Sequence, residues 1–235
     1  MNTKLIGLCL LLLSISSCKI LVLNPKKELS DGYYSDKTAN KKSKVYVNIS
    51  DNDVLLYPTL STNNKLVDTL DYVLFPAKTA STATPKTSTL YRLSFDIDLM
   101  TMPLKFRFPI KDVPPQLNTP LNGAVFFGLR NDHYKIKYKA NPLHNSIRRT
   151  VHFGYSFGFF TGLGNTYMSA ITTNNIVQNS YNGVVWSNGI AGTVGVNKFT
   201  FGLALGFDKL LDKQHKIWAY QNKPWLALTI GLNLN

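Results

Sequence analysis

Few side chains in this sequence could do chemistry, and their spacing limits what they can do. In residues 90–99, Leu93, Phe95, Ile97 and Leu99 alternate with Arg92, Ser94, Asp96 and Asp98. On an extended chain this puts both carboxylates and Arg92 on one face. A pair of carboxylates could share acid and base work. The neighbouring cation makes a salt-bridged network the first expectation, because charges taken out of water must be paired. Lys105, Arg107, Lys135, Lys137 and Lys139 also alternate with large apolar residues, and they are expected on the same interior surface as Asp96 and Asp98. His152 and Ser156 share a face of a further run. Positions four apart on a strand lie about 13 Å apart, too far for a base to hydrogen-bond a nucleophile. His152 is therefore expected to be an internal polar packing residue. The histidines at 133, 144, 152 and 215 are scattered and the single glutamate is Glu28, so no catalytic residue, metal site or cofactor is expected. Gly154, Gly158 and Gly162 alternate inside a strand with no helix after them, which speaks against a phosphate loop and for space beside bulky neighbours.

The elements that would hold these residues are strands. From Phe199 to Phe207 every odd position is large and apolar and every even one small, and in the last stretch Leu226, Leu228, Ile230, Leu232 and Leu234 share a face opposite Trp225, Ala227, Thr229, Gly231 and Asn233. Val151, Phe153, Tyr155, Phe157 and Phe159 repeat the design. Between Leu99 and Met102 the large residues change parity, which a β-bulge at residues 99–101 would explain, leaving Met102, Leu104, Phe106 and Phe108 on the outer side. Pro114, Pro115 and Pro120 should take residues 110–120 out of the sheet. Arg130-Asn131-Asp132 reads as a turn, followed by a strand in which Tyr134, Ile136 and Tyr138 face outward and the lysines inward. Residues 165–182 and 210–222 read as long loops.

The N-terminus has Lys4, a short apolar run over residues 5–13 and small residues before Cys18, the pattern of a secretory signal rather than of a spanning helix. Ile15-Ser16-Ser17-Cys18 resembles the lipobox of bacterial lipoproteins, which implies acylation of Cys18 as the mature N-terminus. Cys9 would leave with the signal, so one cysteine remains and no internal disulfide can form. The net charge of +13 includes a lysine-rich segment after Cys18, suited to a solvated tether near anionic headgroups. An exported chain is not expected to bind nucleic acid.

The Gly-aromatic strands, the run Pro103-Leu104-Lys105-Phe106-Arg107 and the strand from Lys223-Pro224-Trp225 to Leu234 resemble small outer-membrane β-barrel proteins of Gram-negative bacteria, over roughly residues 70–235. The ending Leu232-Asn233-Leu234-Asn235 departs from the aromatic assembly signal of such barrels. The resemblance implies an all-β, antiparallel transmembrane barrel of about eight strands, ten if a hairpin at residues 45–57 joins. Residues 1–17 are then the signal peptide, 18–68 a flexible lipidated tether and 69–235 the barrel. Arg92, Asp96, Asp98, Lys105, Arg107, Lys135, Lys137 and His152 would form a polar network in the lumen. The expected function is non-catalytic, structural or partner-binding through outer loops or lumen, in the outer membrane. The expected partners are outer-membrane lipid, anionic lipid or lipopolysaccharide, and a protein. The rivals are a lipid- or lipopolysaccharide-modifying enzyme, since His152 and Ser156 resemble the His and Ser of lipid-hydrolysing barrels, and a soluble periplasmic β-sandwich lipoprotein.

Overall fold

The computed structural model describes residues 28–37, 43–60, 63–80, 86–110, 113–196 and 199–233. The expected signal peptide and Cys18 lie outside the described residues. The fold is all-β, with every ladder antiparallel. The strands are β1 Gly32–Asp36, β2 Ser43–Ser50, β3 Asp53–Leu60, β4 Asn63–Val67, β5 Val73–Phe75, β6 Lys78–Ala80, β7 Ser88–Arg107, β8 Gln116–Asn118, β9 Asn122–Ala140, β10 Asn145–Met168, β11 Tyr181–Val196, β12 Phe199–Leu210 and β13 Pro224–Asn233.

Six of them close a ring in the order β7, β9, β10, β11, β12, β13 and back to β7. The expected count of eight is corrected to six around this ring. A walk along hydrogen-bonded partners that leaves β7 at Leu99 passes Val125, Thr161, Asn188 and Phe207 to reach Pro224, whose neighbour Trp225 pairs with Arg107. The register therefore does not return to its start, and a closed sheet with such a stagger must have tilted strands. Odd residues of β12 and even residues of β13 point outward. Phe201, Leu203, Leu205, Phe207, Leu226, Leu228 and Ile230 are exposed, while Thr200, Ala204, Ala227 and Thr229 are buried.

A second circuit shares β7, β9 and β10. β1 pairs with β7 at Tyr91 and Leu90, then β2 with β1, β3 with β2 and β5 with β3; the chain continues through Pro76-Ala77 into β6, which pairs with β10. One side of this circuit is thus closed by covalent chain. The link is held by Ala77 N–H donating to Asp53 Oδ1 (2.7 Å), Tyr138 Oη–H to the Pro76 carbonyl (2.9 Å) and Arg148 to the carbonyls of Phe75 and Asn52. The interior is an apolar core of Tyr34, Val45, Val47, Val54, Leu56, Phe75, Leu90, Tyr134 and Ile136. Within the segment expected as a tether, β2 and β3 form the hairpin expected at residues 45–57, and β1 and β4 are strands in addition to it. The β2–β3 hairpin turns on Asp51 and Asn52, both at positive φ (50° and 68°), the geometry of a tight two-residue hairpin turn.

Three local expectations are also corrected. Thr229 faces two residues of β7, since Leu228 pairs with Leu104 and Ile230 with Thr101, so the bulge sits at Met102-Pro103. Proline has no N–H for the ladder, which makes a bulge the natural place for it. Met100 and Met102 accordingly both point inward and are buried. Residues 116–118, between the prolines, form β8 on the edge of β7. Arg130-Asn131-Asp132 is no turn but the middle of β9, paired continuously with β7 and β10.

Candidate functional site

Inside the six-stranded ring are two charged clusters with an apolar layer between them. The first lies where the ring meets the second circuit. Arg130 donates from Nε to Asp132 Oδ1 (2.8 Å), and its Nη1 lies 3.6 Å from Asp96 Oδ1. His152 Nε2 also meets Asp132 Oδ1, at 2.7 Å, while the Ser156 hydroxyl donates to Asp96. The guanidinium fits because two neighbours lack side chains. A Cβ on Gly154 would lie 2.8 Å from Arg130 Nε, and one on Gly195 2.6 Å from Arg130 Nη2, both too close. His152 and Ser156 thus face different aspartates, and nothing in this geometry lets the imidazole take the Ser156 proton.

Above this cluster Met100, Met102, Phe126, Phe160 and Trp225 fill the ring together with small alanines, all of them buried. A charged solute crossing this layer would shed its water against apolar walls, so the interior is a packed core and not a channel.

The second cluster lies towards the end where the chain runs from β10 to β11 and from β12 to β13. Asp208 accepts from Lys105 Nζ on both oxygens (3.1 Å each), from Arg107 Nη2 and from the Ser187 hydroxyl (2.6 Å). Lys105 Nζ stands 4.1 Å from the centroid of Trp225, and the Arg107 guanidinium lies against Trp218 and Tyr220 at 5.0 and 5.3 Å. Trp218 and Tyr220 come from the β12–β13 connection and pack with Val113, Met168, Val185 and Leu210, closing this end over the charges. Tyr220 donates to the Pro114 carbonyl (3.1 Å); burial raises its phenol pKa, and the Arg107 charge works the other way.

Of the residues expected in one network, Asp96, Asp98, Lys105, Arg107 and His152 point inward, but Asp96 and His152 belong to the first cluster and Lys105 and Arg107 to the second. The expected pairing of Asp96 with Lys105 and Arg107 is corrected, since Asp208 takes both cations and Arg130 serves Asp96. Lys135 and Lys137, with Lys139, are exposed on the outside of β9, because Tyr134 and Ile136 occupy the core of the second circuit. Arg92 is also exposed, stacked 5.6 Å over Tyr34 and donating to Ser30 Oγ (3.3 Å). Sequence reasoning missed Arg130, Asp132, Ser187 and Asp208. The signal for Asp208 was available: it continues the inward parity of Thr200, Ala204 and Gly206. Among the described residues no group of three His, Cys, Asp or Glu side chains is placed to hold a metal ion. No family model, curated protein or solved structure matches this chain.

Proposed function

We propose that the six-stranded ring is a transmembrane β-barrel and that the protein is a non-catalytic outer-membrane lipoprotein, anchored also through acylated Cys18, with a structural and partner-binding role. The observation that carries this reading is the belt of exposed large apolar side chains around the ring, including Phe95, Leu129, Phe157, Val194, Leu203 and Leu228 from six successive strands. A water-soluble monomer rarely exposes a contiguous apolar patch above a few hundred Å², and fully burying each such side chain is worth about 1.5–3 kcal/mol. From Phe153 to Leu163 the belt on β10 covers about 25 Å along the membrane normal for strands tilted by ~45°, the height of the apolar band of outer-membrane barrels. Tyr91 and His133 stand level with Phe153 at one end of the belt, and Trp186 level with Leu163 at the other with Tyr167 beyond it, as aromatic girdles do. The closed ladder leaves no ring strand without a neighbour on either side, as a lipid surrounding requires.

The packed interior weighs against conduction and the separate partners of His152 and Ser156 against lipid hydrolysis. The outward apolar belt weighs against a soluble sandwich. Binding then falls to the loop end and to the second circuit, which on this reading stands on the periplasmic side, where its apolar core and lysine-bearing wall suit water and headgroups. Extraction tests this: the protein should stay in the membrane pellet after alkaline carbonate and migrate faster on a gel before boiling than after. Release by carbonate with no heat-dependent shift would refute the barrel. Cys18→Ala should lose metabolic labelling by a fatty-acid analogue; labelling equal to wild type would remove the lipoprotein part alone.

A further inference from the structure

The outward face of the long strands turns from apolar to basic where they leave the ring. Lys135, Lys137 and Lys139 take successive outward positions of β9, and Arg149 of β10 stands directly opposite Lys137. Lys78 of β6 pairs with Ile147, which pairs in turn with Lys139. All five cations are exposed, and among the described residues none forms an ion pair. No carboxylate shares their wall, because the outward positions of β6, and of β9 and β10 within the second circuit, carry no Asp or Glu. Of the 13 acidic residues in the chain only Asp112 lies outside the described residues, and its neighbour Val113 belongs to the core that closes the loop end. The last described residue, Asn233, meets β7 on the edge opposite to β9.

Directly opposite side chains of antiparallel strands have Cβ atoms about 4.5–5.5 Å apart, where like charges repel. An anion between Lys137 and Arg149 reverses the sign of that interaction. One phosphate can take the planar fork of the guanidinium and the point charge of the ammonium together.

Position says which anion. On β9 the outward face runs from Phe127 and Leu129 in the belt to Lys135, and on β10 from Phe157 and Phe153 to Arg149, in one unbroken register. A rise of ~3.4 Å on a strand tilted by ~45° advances about 2.4 Å per residue along the membrane normal. Lys135 then lies about 5 Å beyond Phe153, where the belt ends, and Lys137 and Arg149 about 10 Å beyond it. A headgroup layer is ~5–7 Å deep on each side of the hydrocarbon, and long cationic side chains reach back along a wall towards it. Lys135, Lys137 and Arg149 thus reach the phosphates of the adjacent leaflet, while Lys139 and Lys78 stand on their water side. β11, β12 and β13 end at Val196, Phe199 and Asn233, level with the edge of the belt, so the basic wall occupies one sector of the circumference.

We propose that this wall binds anionic phospholipid, with one headgroup phosphate bridging Lys137 and Arg149. The proposal rests on the barrel reading above and adds to it a lipid-selective sector on β9 and β10.

The test uses the full-length protein in a non-ionic detergent, given an equimolar mixture of phosphatidylglycerol and phosphatidylcholine with the same acyl chains. Native mass spectrometry should find phosphatidylglycerol retained in preference, less so as the ionic strength rises. Lys137→Gln should weaken its binding about fivefold, and Lys137→Gln with Arg149→Gln about 30-fold. Lys137→Arg with Arg149→Lys keeps both charges and should bind as wild type does. Equal retention of the two lipids by wild type, or an undiminished preference in the Gln variants, overturns the proposal. Poly-glutamate bound more tightly than phosphatidylglycerol overturns it in favour of an acidic polypeptide. Release from membranes by alkaline carbonate would sink the barrel reading, whereas membrane retention without lipid preference would sink the basic wall alone.

Discussion

The six-stranded ring and the second circuit share three long strands, β7, β9 and β10, and along these strands they are opposite in polarity. In β9 the inward side reads Arg130 and Asp132 in the ring and then Tyr134 and Ile136 in the circuit, while the outward side changes from Phe127 and Leu129 to Lys135 and Lys137. No bulge interrupts this, since β9 pairs in unbroken register with β10 from Asn122 to Ala140. The strand keeps its phase and the surroundings change. A strand can thus pass from a setting that is apolar outside to one that is apolar inside with no change in backbone geometry. Only the side-chain chemistry marks the border.

Substitutions can break or sharpen this contrast, and the largest effect is expected inside the ring. Asp208→Asn removes the carboxylate that the buried Lys105 and Arg107 share, a loss of roughly 3–5 kcal/mol. On the barrel reading, the faster-migrating unboiled band should disappear, and adding Lys105→Met should restore part of it. A band as stable as wild type would mean that the interior is wetter than its packing indicates. Next comes Ile136→Ala in the circuit, costing about 2–5 kcal/mol for the cavity. Limited proteolysis should then cut within β2 and β3 while the gel shift of the ring persists; loss of both together would make the two circuits one cooperative unit. Leu203→Arg places a cation on the outer belt, which on the barrel reading costs about 2–4 kcal/mol at mid-depth and should reduce the membrane-assembled fraction. Normal assembly of that variant would move the belt out of the bilayer. The smallest effect concerns the lysine wall. Lys137 and Arg149 are directly opposite across β9 and β10, a like-charge pair, so Lys137→Ala should raise the unfolding midpoint slightly at low salt and not at high salt. A lowered midpoint would show that an anion bridges the two.

The alternation in β10, β12 and β13 was legible in the sequence because the large residues there lie on one side and the small on the other over the whole length. β9 was not, for the reason just given: Tyr134 and Ile136 are as apolar as Phe127 and Leu129, and nothing in residue type says that one pair faces out and the other in. Reading polarity as facing forces a false turn at Arg130–Asp132 and sends Lys135 and Lys137 inside. β1 was hidden by another cause. Residues 32–36 make a strand only because β2 and β7 offer edges to it, and such partners are remote in sequence. The division of the charged residues into two clusters depends on the stagger of the ring, which carries Arg107 past Trp225 towards Asp208 and which no local pattern encodes.

The ring is closed by a ladder between β7 and β13, in which Leu99 pairs with Leu232 and Arg107 with Trp225. The two strands that meet there are the first and last of the six in chain order. Until β13 has been made, β7 and β12 both present unsatisfied N–H and C=O groups over most of their length, the condition under which chains add to one another edge to edge. β1 and β8 cover only short pieces of the β7 edges. Closure is therefore late and non-local, and such pairings form slowly. Until β13 docks, the half-made sheet therefore carries two open edges of its own, and its exposure to edge-to-edge pairing lasts as long as that closure takes.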